Sequence, residues 1–135
     1  KILSDNHWVP AETLIMGLPG EKPEDTRKTI DLIHDLSKYK SLIVPLYFVP
    51  IGNLQGNGFF RSRYNTPEHW QLLAACINHD FKWVYQLAEE NLPTVNMSSW
   101  KIWAIKKVIK YMNKRLRPYV KLMEEGINPM IQEST

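Results

Sequence analysis

The spacing of apolar residues divides the chain into a short segment with strand-like runs and a longer segment with helical periodicity. Apolar runs at residues 12–16 and 41–52, each bounded by glycine or proline, are typical of buried strands. Between them, apolar side chains from Ile30 to Leu36 recur at helical spacing and predict a helix that ends near Tyr39. Because the connections are short, the two strands should be parallel neighbours in an α/β fold.

Two long helices are predicted in the second segment. Thr66 precedes a proline and is typical of a helix N-cap, and the apolar pattern then continues to about Glu90. Ser98 or Ser99 is expected to cap a final helix with an apolar stripe and many lysines. Pro118 lies inside that pattern and predicts a kink or a split, because proline removes a backbone donor and clashes with the preceding turn.

Length and composition limit what such a chain can do. With 135 residues, of which 44% are hydrophobic, it is long enough for one compact domain and too short for a complete enzyme barrel. It begins at Lys1 within a mixed polar and apolar stretch, and we interpret it as a piece of a larger protein. The net charge of +3 is compatible with anionic partners but identifies none.

Cysteine usage and hydropathy bear on the cellular setting. Cys76 is the single cysteine, which excludes a disulfide within the chain and a multi-cysteine metal site. His69 and His79 are spaced to share a helix face with it, but nothing nearby completes a ligand set, so we predict no metal site. We find no secretory signal and no run of about 18 apolar residues, and we predict a cytoplasmic protein.

The turn between the first strand and the first helix is the strongest candidate for chemistry. It has the sequence Gly-Leu-Pro-Gly-Glu at 17–21, and Gly17 and Gly20 can both adopt positive φ. Such turns often bind anions, and we expect free amides near Glu21. However, the turn lacks the lysine and hydroxyl of a phosphate-binding loop, and the Glu21 carboxylate would repel phosphate. The residues alone favour a structural turn over a phosphate site and leave other ligands open.

This turn and its flanking strands resemble a known enzyme family. The sequence Leu-Ile-Met-Gly-Leu-Pro-Gly-Glu-Lys-Pro-Glu-Asp-Thr at 14–26 is similar to the fifth strand and following turn of radical S-adenosylmethionine (SAM) barrels. Tyr-Phe-Val-Pro-Ile-Gly at 47–52 is similar to the sixth strand. The resemblance implies a partial parallel βα barrel of two strands and a crossover helix in residues 1–58, followed by an α-helical C-terminal region in residues 59–135.

The resemblance also implies which residues would bind SAM. In that family the fifth strand lies beside the adenosyl group, and the end of the sixth strand contacts the adenine. The matching positions of the first strand are Ile15, Met16 and Gly17, and those of the second are Phe48, Val49 and Pro50.

The cofactors implied by the resemblance are only partly accounted for by this chain. The family binds a [4Fe-4S] cluster through three cysteines, which are absent here, so the cluster ligands are expected upstream and no catalytic residue is assigned. The phrase at 44–52 looks closest to members that carry a cobalamin-binding domain, which would also lie upstream. Two strands cut from a larger sheet would leave an unpaired edge, which we expect to pair with the remainder of the parent chain or with a second copy.

Two other classes of function remain open. One is an unrelated small α/β binding domain in which the glycine turn is only structural. The other is a module that contacts RNA or an anionic membrane through its basic C-terminal helix. Trp100 and Trp103 favour a membrane surface, and the arginine and aromatic cluster at 59–64 favours nucleic acid. The simplest interpretation of that helix is that its apolar stripe packs on the preceding helices while its lysines are solvated.

Overall fold

The computed structural model describes residues 8–52 and 60–134, with side chains described as far as residue 131. Its elements, in chain order, are β1 (Ala11–Met16), α1 (Pro23–Leu36), β2 (Leu42–Tyr47), α2 (Pro67–Asn91) and α3 (Ser99–Glu124). Short 3-10 turns lie at Ser62–Tyr64, Leu92–Val95 and Pro129–Ser134. Residues 53–58 are rich in glycine and asparagine, which predicts an exposed loop. They lie outside the described residues, as do Phe59 and the boundary between the two predicted regions.

The two strands form a parallel pair, and α1 is the connection between them. The register runs from Ala11 opposite Leu42 to Met16 opposite Tyr47. The predicted α/β class is confirmed in this form: a mixed fold with two parallel strands and three helices across the described residues, most of it helical. None of these helices is sufficiently long and apolar to cross a membrane.

The core lies between one face of the sheet and the helices α1 and α2. Met16 and Ile43 of the strands are fully buried against Ile33 of α1 and against Leu72 and Cys76 of α2. Alternation along a strand directs every second side chain to the same face. Leu14 and Tyr47 therefore lie on this face as well, where they are partly buried and pack against the cluster. The core therefore joins residues from both predicted regions, 1–58 and 59–135.

The other face of the sheet is apolar and exposed. Ile15 lies opposite Leu46 in the register, and Thr13 lies opposite Val44, so their side chains share the face that points away from the core. Ile15 is 58% exposed, and Val44 and Leu46 are exposed as well. A sheet in a folded domain usually covers its apolar face with another layer.

The helix α3 runs antiparallel to α2 and packs against it through a second small core. This core consists of Trp70, Ala74, Val120 and Met123. It ends at Glu124, and just beyond that end the Ile127 amide donates to the Leu122 carbonyl as in a Schellman cap. Gly126 has a φ of +75°, and a Cβ there would lie 2.7 Å from the Pro67 Cβ. The close approach of these two chain segments fixes the end of α3 beside the start of α2.

Two boundaries and the continuity of the last helix differ from the sequence prediction. The second strand ends at Tyr47 instead of running to residue 52, because Pro50 has no amide to donate and Gly52 takes a positive φ. The first helix ends at Leu36 rather than near Tyr39. Of the kink or split predicted at Pro118, the split does not occur, since α3 continues through Pro118. Pro118 is exposed, so water can solvate the carbonyl that loses its helical donor.

Candidate functional site

The glycine turn after β1 folds back on its own glutamate. Gly17 takes a φ of +78°, and its amide donates to Oε2 of Glu21 at 2.6 Å. The Leu18 amide donates to the same oxygen at 2.9 Å. The expectation of free amides near Glu21 is therefore wrong for these two groups. Their partner is a carboxylate within the chain, because Glu21 lies only four residues beyond Gly17 and can reach back across the turn.

The second carboxylate oxygen connects this turn to two helices. Oε1 of Glu21 accepts from the Thr26 hydroxyl at 2.8 Å and lies 3.1 Å from Nε2 of His69. His69 is the third residue of α2, and its Nδ1 accepts from the amide of the N-cap Thr66 at 3.1 Å. Because Nδ1 accepts, the ring proton of neutral His69 sits on Nε2 and is donated to Glu21.

Burial and hydrogen bonding act in opposite directions on this carboxyl group. The side chains of Glu21 and His69 are only 14% and 8% exposed. Burial by itself would raise the pKa of Glu21, but hydrogen bonds from Leu18, Thr26, His69 and Gly17 together outweigh it and lower that pKa. The group is therefore held as a carboxylate at neutral pH. It already fills the place of a bound anion in the turn, which argues against phosphate binding there.

An aromatic ring covers the turn. A Cβ added at Gly17 would lie 2.2 Å from the Phe60 ring, so this ring rests directly on the glycine backbone. Phe60 also contacts the His69 ring edge-on, with centroids 5.1 Å apart, and lies 5.6 Å from the Tyr47 ring. These contacts pack the Phe60 ring down onto the turn and the start of α2.

One polar atom beside this cluster is left without a partner. The Tyr47 hydroxyl accepts from Nδ2 of Asn65 at 3.1 Å. The other side-chain atom of Asn65, Oδ1, is buried and has no hydrogen-bond partner among the described residues. A buried acceptor without a partner is costly, and the usual partners are water or a ligand. Asn65 therefore marks a place at the carboxyl end of the sheet where a donor group would be favoured.

The six residues matched to the SAM site lie at neighbouring strand ends. The Phe48 amide donates to the Met16 carbonyl at 2.9 Å, which holds the residues after β2 beside the end of β1. Ile15 and Val49 are exposed, whereas Phe48 and Pro50 are buried. The Met16 side chain lies in the core against the helices. The Met16 carbonyl and the Gly17 amide already have hydrogen-bond partners within the chain, and the Phe60 ring covers Gly17.

The other side chains that could take part in chemistry lie apart from this turn and have other surroundings. Nε2 of His79 lies 2.9 Å from the Ser41 hydroxyl, and a carboxylate oxygen of Asp80 accepts from the Ile43 amide at 2.8 Å. Burial raises the pKa of the Cys76 thiol to about 12, so it is protonated and unreactive at neutral pH. Within residues 8–52 and 60–131, no group of three or more His, Cys, Asp or Glu side chains is arranged to hold a metal ion.

Sequence inspection missed the pairing of Glu21 with His69, which are 48 residues apart. The available signals were a glutamate directly after the glycine turn and a histidine three residues after the N-cap Thr66. Both carboxylate oxygens and both ring nitrogens of the pair have partners. This arrangement suits a connection that holds the turn and α2 in place, because each of these atoms is bonded to a group of the same fold.

Comparison with known proteins adds no relationship, because no protein-family model, no curated protein and no solved structure matches this chain.

Proposed function

We propose that this chain is the C-terminal part of a radical SAM iron-sulfur enzyme. In this proposal β1 and β2 are the last parallel strands of a βα barrel, and their carboxyl ends form the adenosyl side of the SAM pocket. The helix α2 would belong to the outer helical layer with α1, because both pack on the same face of the sheet, so the substrate-side cap that the resemblance implies would not include α2. The chain is inactive by itself, because it supplies part of the pocket and none of the cluster ligands.

The observation that carries the proposal is the contrast between the two faces of the sheet. One face is covered by α1 and α2, while the opposite face presents Ile15, Val44 and Leu46 to solvent. Strands of a βα barrel have helices on the outer face and branched apolar side chains on the inner face. An isolated two-stranded unit with this distribution is what a segment of such a barrel would look like.

The strand ends also fit the proposed ligand in part. Ile15 and Val49 are exposed apolar side chains at neighbouring strand ends, which suits contact with a flat purine ring. The side chain of Met16 does not contribute, so its role in the proposal is limited to its backbone.

The iron-sulfur cluster does not fit the residues of this chain. A [4Fe-4S] cluster is bound by several thiolates, and Cys76 is a single, buried, protonated thiol. The proposal therefore requires the cluster ligands, and a cobalamin domain where there is one, in a preceding part of the parent protein. When bound, the cluster would supply the electron that cleaves SAM, and this chain would hold the adenosyl group.

The gene sequence upstream of Lys1 provides the first test. A Cys-x-x-x-Cys-x-x-Cys motif in the same reading frame supports the proposal. A complete upstream frame without that motif would rule it out.

Binding by the longer protein provides the second test. In the anaerobically purified parent, Ile15→Asp or Val49→Asp should weaken SAM binding by tenfold or more, because a carboxylate would be desolvated against the adenine. Leu32→Asp, on the exposed surface of α1, is the matched control and should leave SAM binding unchanged. Equal effects of all three substitutions would contradict the assignment of the strand ends to the SAM pocket.

A further inference from the structure

The outer face of α3 is basic and aromatic, and the proposed SAM pocket does not use it. Of the 17 basic and 14 acidic residues in the chain, eight basic and one acidic lie in α3, which leaves an excess of acidic residues elsewhere. Among the described residues, the ion pairs use a single basic side chain of α3, Lys106, whose partner is Glu89 on α2. Within residues 8–52 and 60–131, ion pairs therefore leave most of this positive charge without a neutralising partner.

Large aromatic side chains lie on the same outer face. Trp100 and Trp103 are 68% and 64% exposed, and Tyr111 is exposed two turns further along. At 100° per residue these three positions lie opposite Val120 and Met123, the residues through which α3 packs on α2. Exposed aromatic residues that adjoin in this way commonly mark an interaction surface.

The cations and the rings are interleaved. The Lys101 ammonium lies 5.8 Å from the centre of the Trp100 ring, and the Lys107 ammonium lies 5.6 Å from the centre of the Trp103 ring. Lys114 and Arg115 continue the exposed basic surface one turn beyond Tyr111. The surface is the convex side of one helix of 26 residues, about 39 Å long, which can lie along a flat partner.

We propose that this face of α3 binds the surface of an anionic lipid bilayer. Indole rings are favoured at the depth of the lipid headgroups, and lysine ammonium groups beside them can reach the anionic phosphates. The acidic excess in the rest of the chain would orient the protein with α3 toward the negative surface.

Single-stranded nucleic acid is the competing partner, and the geometry favours it less. Base stacking needs an open ring face and a groove that follows the backbone. Here a lysine ammonium covers one face of each tryptophan ring, and the surface is convex. Neither feature hinders contact with a bilayer.

The test measures binding of the whole chain to vesicles of phosphatidylcholine mixed with phosphatidylglycerol, using co-sedimentation and the blue shift of tryptophan emission. We expect binding that falls with salt and is absent on vesicles of phosphatidylcholine alone. Lys107→Gln with Lys114→Gln should weaken binding about 25-fold, at about fivefold per charge near the surface. The charge-matched control is the double substitution Lys28→Gln with Lys38→Gln, which changes two exposed lysines outside α3. This control should change vesicle binding by less than about twofold.

The aromatic contribution is tested separately. Trp103→Ala should reduce both binding and the blue shift, whereas Trp8→Ala, an equally exposed tryptophan outside α3, should not. Far-ultraviolet circular dichroism of each variant establishes that α3 remains folded. Equal losses for the α3 and control variants would overturn the proposal. It would also be overturned if poly(U) RNA bound through Lys107 and Lys114 while the mixed vesicles did not bind.

Discussion

Gly17 and Gly20 have nearly the same left-handed backbone but different surroundings. Their φ angles are +78° and +83°, yet a Cβ at Gly17 would meet the Phe60 ring at 2.2 Å and one at Gly20 would meet nothing within 4 Å. Gly20→Ala therefore measures backbone strain alone, which should cost about 1 kcal/mol. Gly17→Ala should lower the free energy of unfolding by about 1–3 kcal/mol more, measured by urea denaturation, because the ring must also move.

A second substitution separates the two contributions at Gly17. In a Phe60→Ala background the steric part of the cost should disappear, and Gly17→Ala should then cost about as much as Gly20→Ala. If Gly17→Ala and Gly20→Ala are equally destabilising in the wild-type background, Phe60 does not rest on the turn.

Glu21 should stabilise the protein only while it is ionised. At neutral pH, Glu21→Gln should lower the free energy of unfolding by about 1–3 kcal/mol, because an amide presents its own donors to the turn. The folded-state pKa of Glu21 lies below its ordinary value of 4.5, so the stabilisation is fully present above pH 4.5 and is lost as the pH falls through the folded-state pKa. Urea denaturation at several pH values should show that the free energies of unfolding of wild type and variant become more similar as the pH falls.

The control for this series is Glu24→Gln. Glu24 is exposed, and its carboxylate lies 3.9 Å from Arg27. This substitution should change the free energy of unfolding by less than about 0.5 kcal/mol at any of these pH values. If the difference in free energy of unfolding between wild type and Glu21→Gln does not depend on pH, the ionised carboxylate is not the stabilising group.

Among the elements, α3 departs most clearly from its local sequence. Pro118 cannot donate a backbone hydrogen bond, and such a residue in a helix interior costs about 3 kcal/mol. The helix nevertheless continues past it, because Val120 and Met123 are buried against α2 and hold the following turns in place.

Replacing this proline should therefore stabilise the protein. We expect Pro118→Ala to raise the free energy of unfolding by about 1–3 kcal/mol, measured by urea denaturation, since the exposed site leaves no cavity. Lys114→Ala, one turn earlier on the exposed surface, is the control and should have little effect. A loss of stability in Pro118→Ala would show that the proline ring makes a contact that the helix needs.

For the whole molecule, the open face of the sheet should dominate behaviour in solution. Ile15 and Leu46 lie opposite each other on this exposed apolar surface, beside strand edges that can accept another strand. We expect association that increases with concentration in sedimentation velocity. Ile15→Lys with Leu46→Lys should shift the protein toward the monomer, because two charges would have to be buried on association.

The matched control for that pair is Leu32→Lys on α1. Leu32 is also an exposed leucine, but it lies on a helix surface away from the sheet. It should leave the association unchanged. A wild-type chain that stays monomeric at all concentrations would contradict both this expectation and the barrel origin of the strands.

Local patterns predicted much of the secondary structure. Apolar runs and periodic spacing located both strands and all three helices, and Thr66 does cap α2 through its side chain. The second strand was predicted too long because the chain leaves the sheet after Tyr47, and α3 is not split at Pro118 because contacts with α2 outweigh the local preference. The predicted assignment of Ile15 and Phe48 to a SAM pocket stays a prediction.

The amino-acid sequence alone determined the order and approximate positions of the two strands and three helices, since these depend mostly on contacts within a few residues. It also established the charge of α3. The partner of each polar group depended on folding: Glu21 accepts from His69, 48 residues away, and Phe60 rests on Gly17. Periodicity identifies an apolar face, but it does not tell which neighbour covers that face. For that reason the sheet face that carries Ile43 became the core, and the face that carries Val44 remained open.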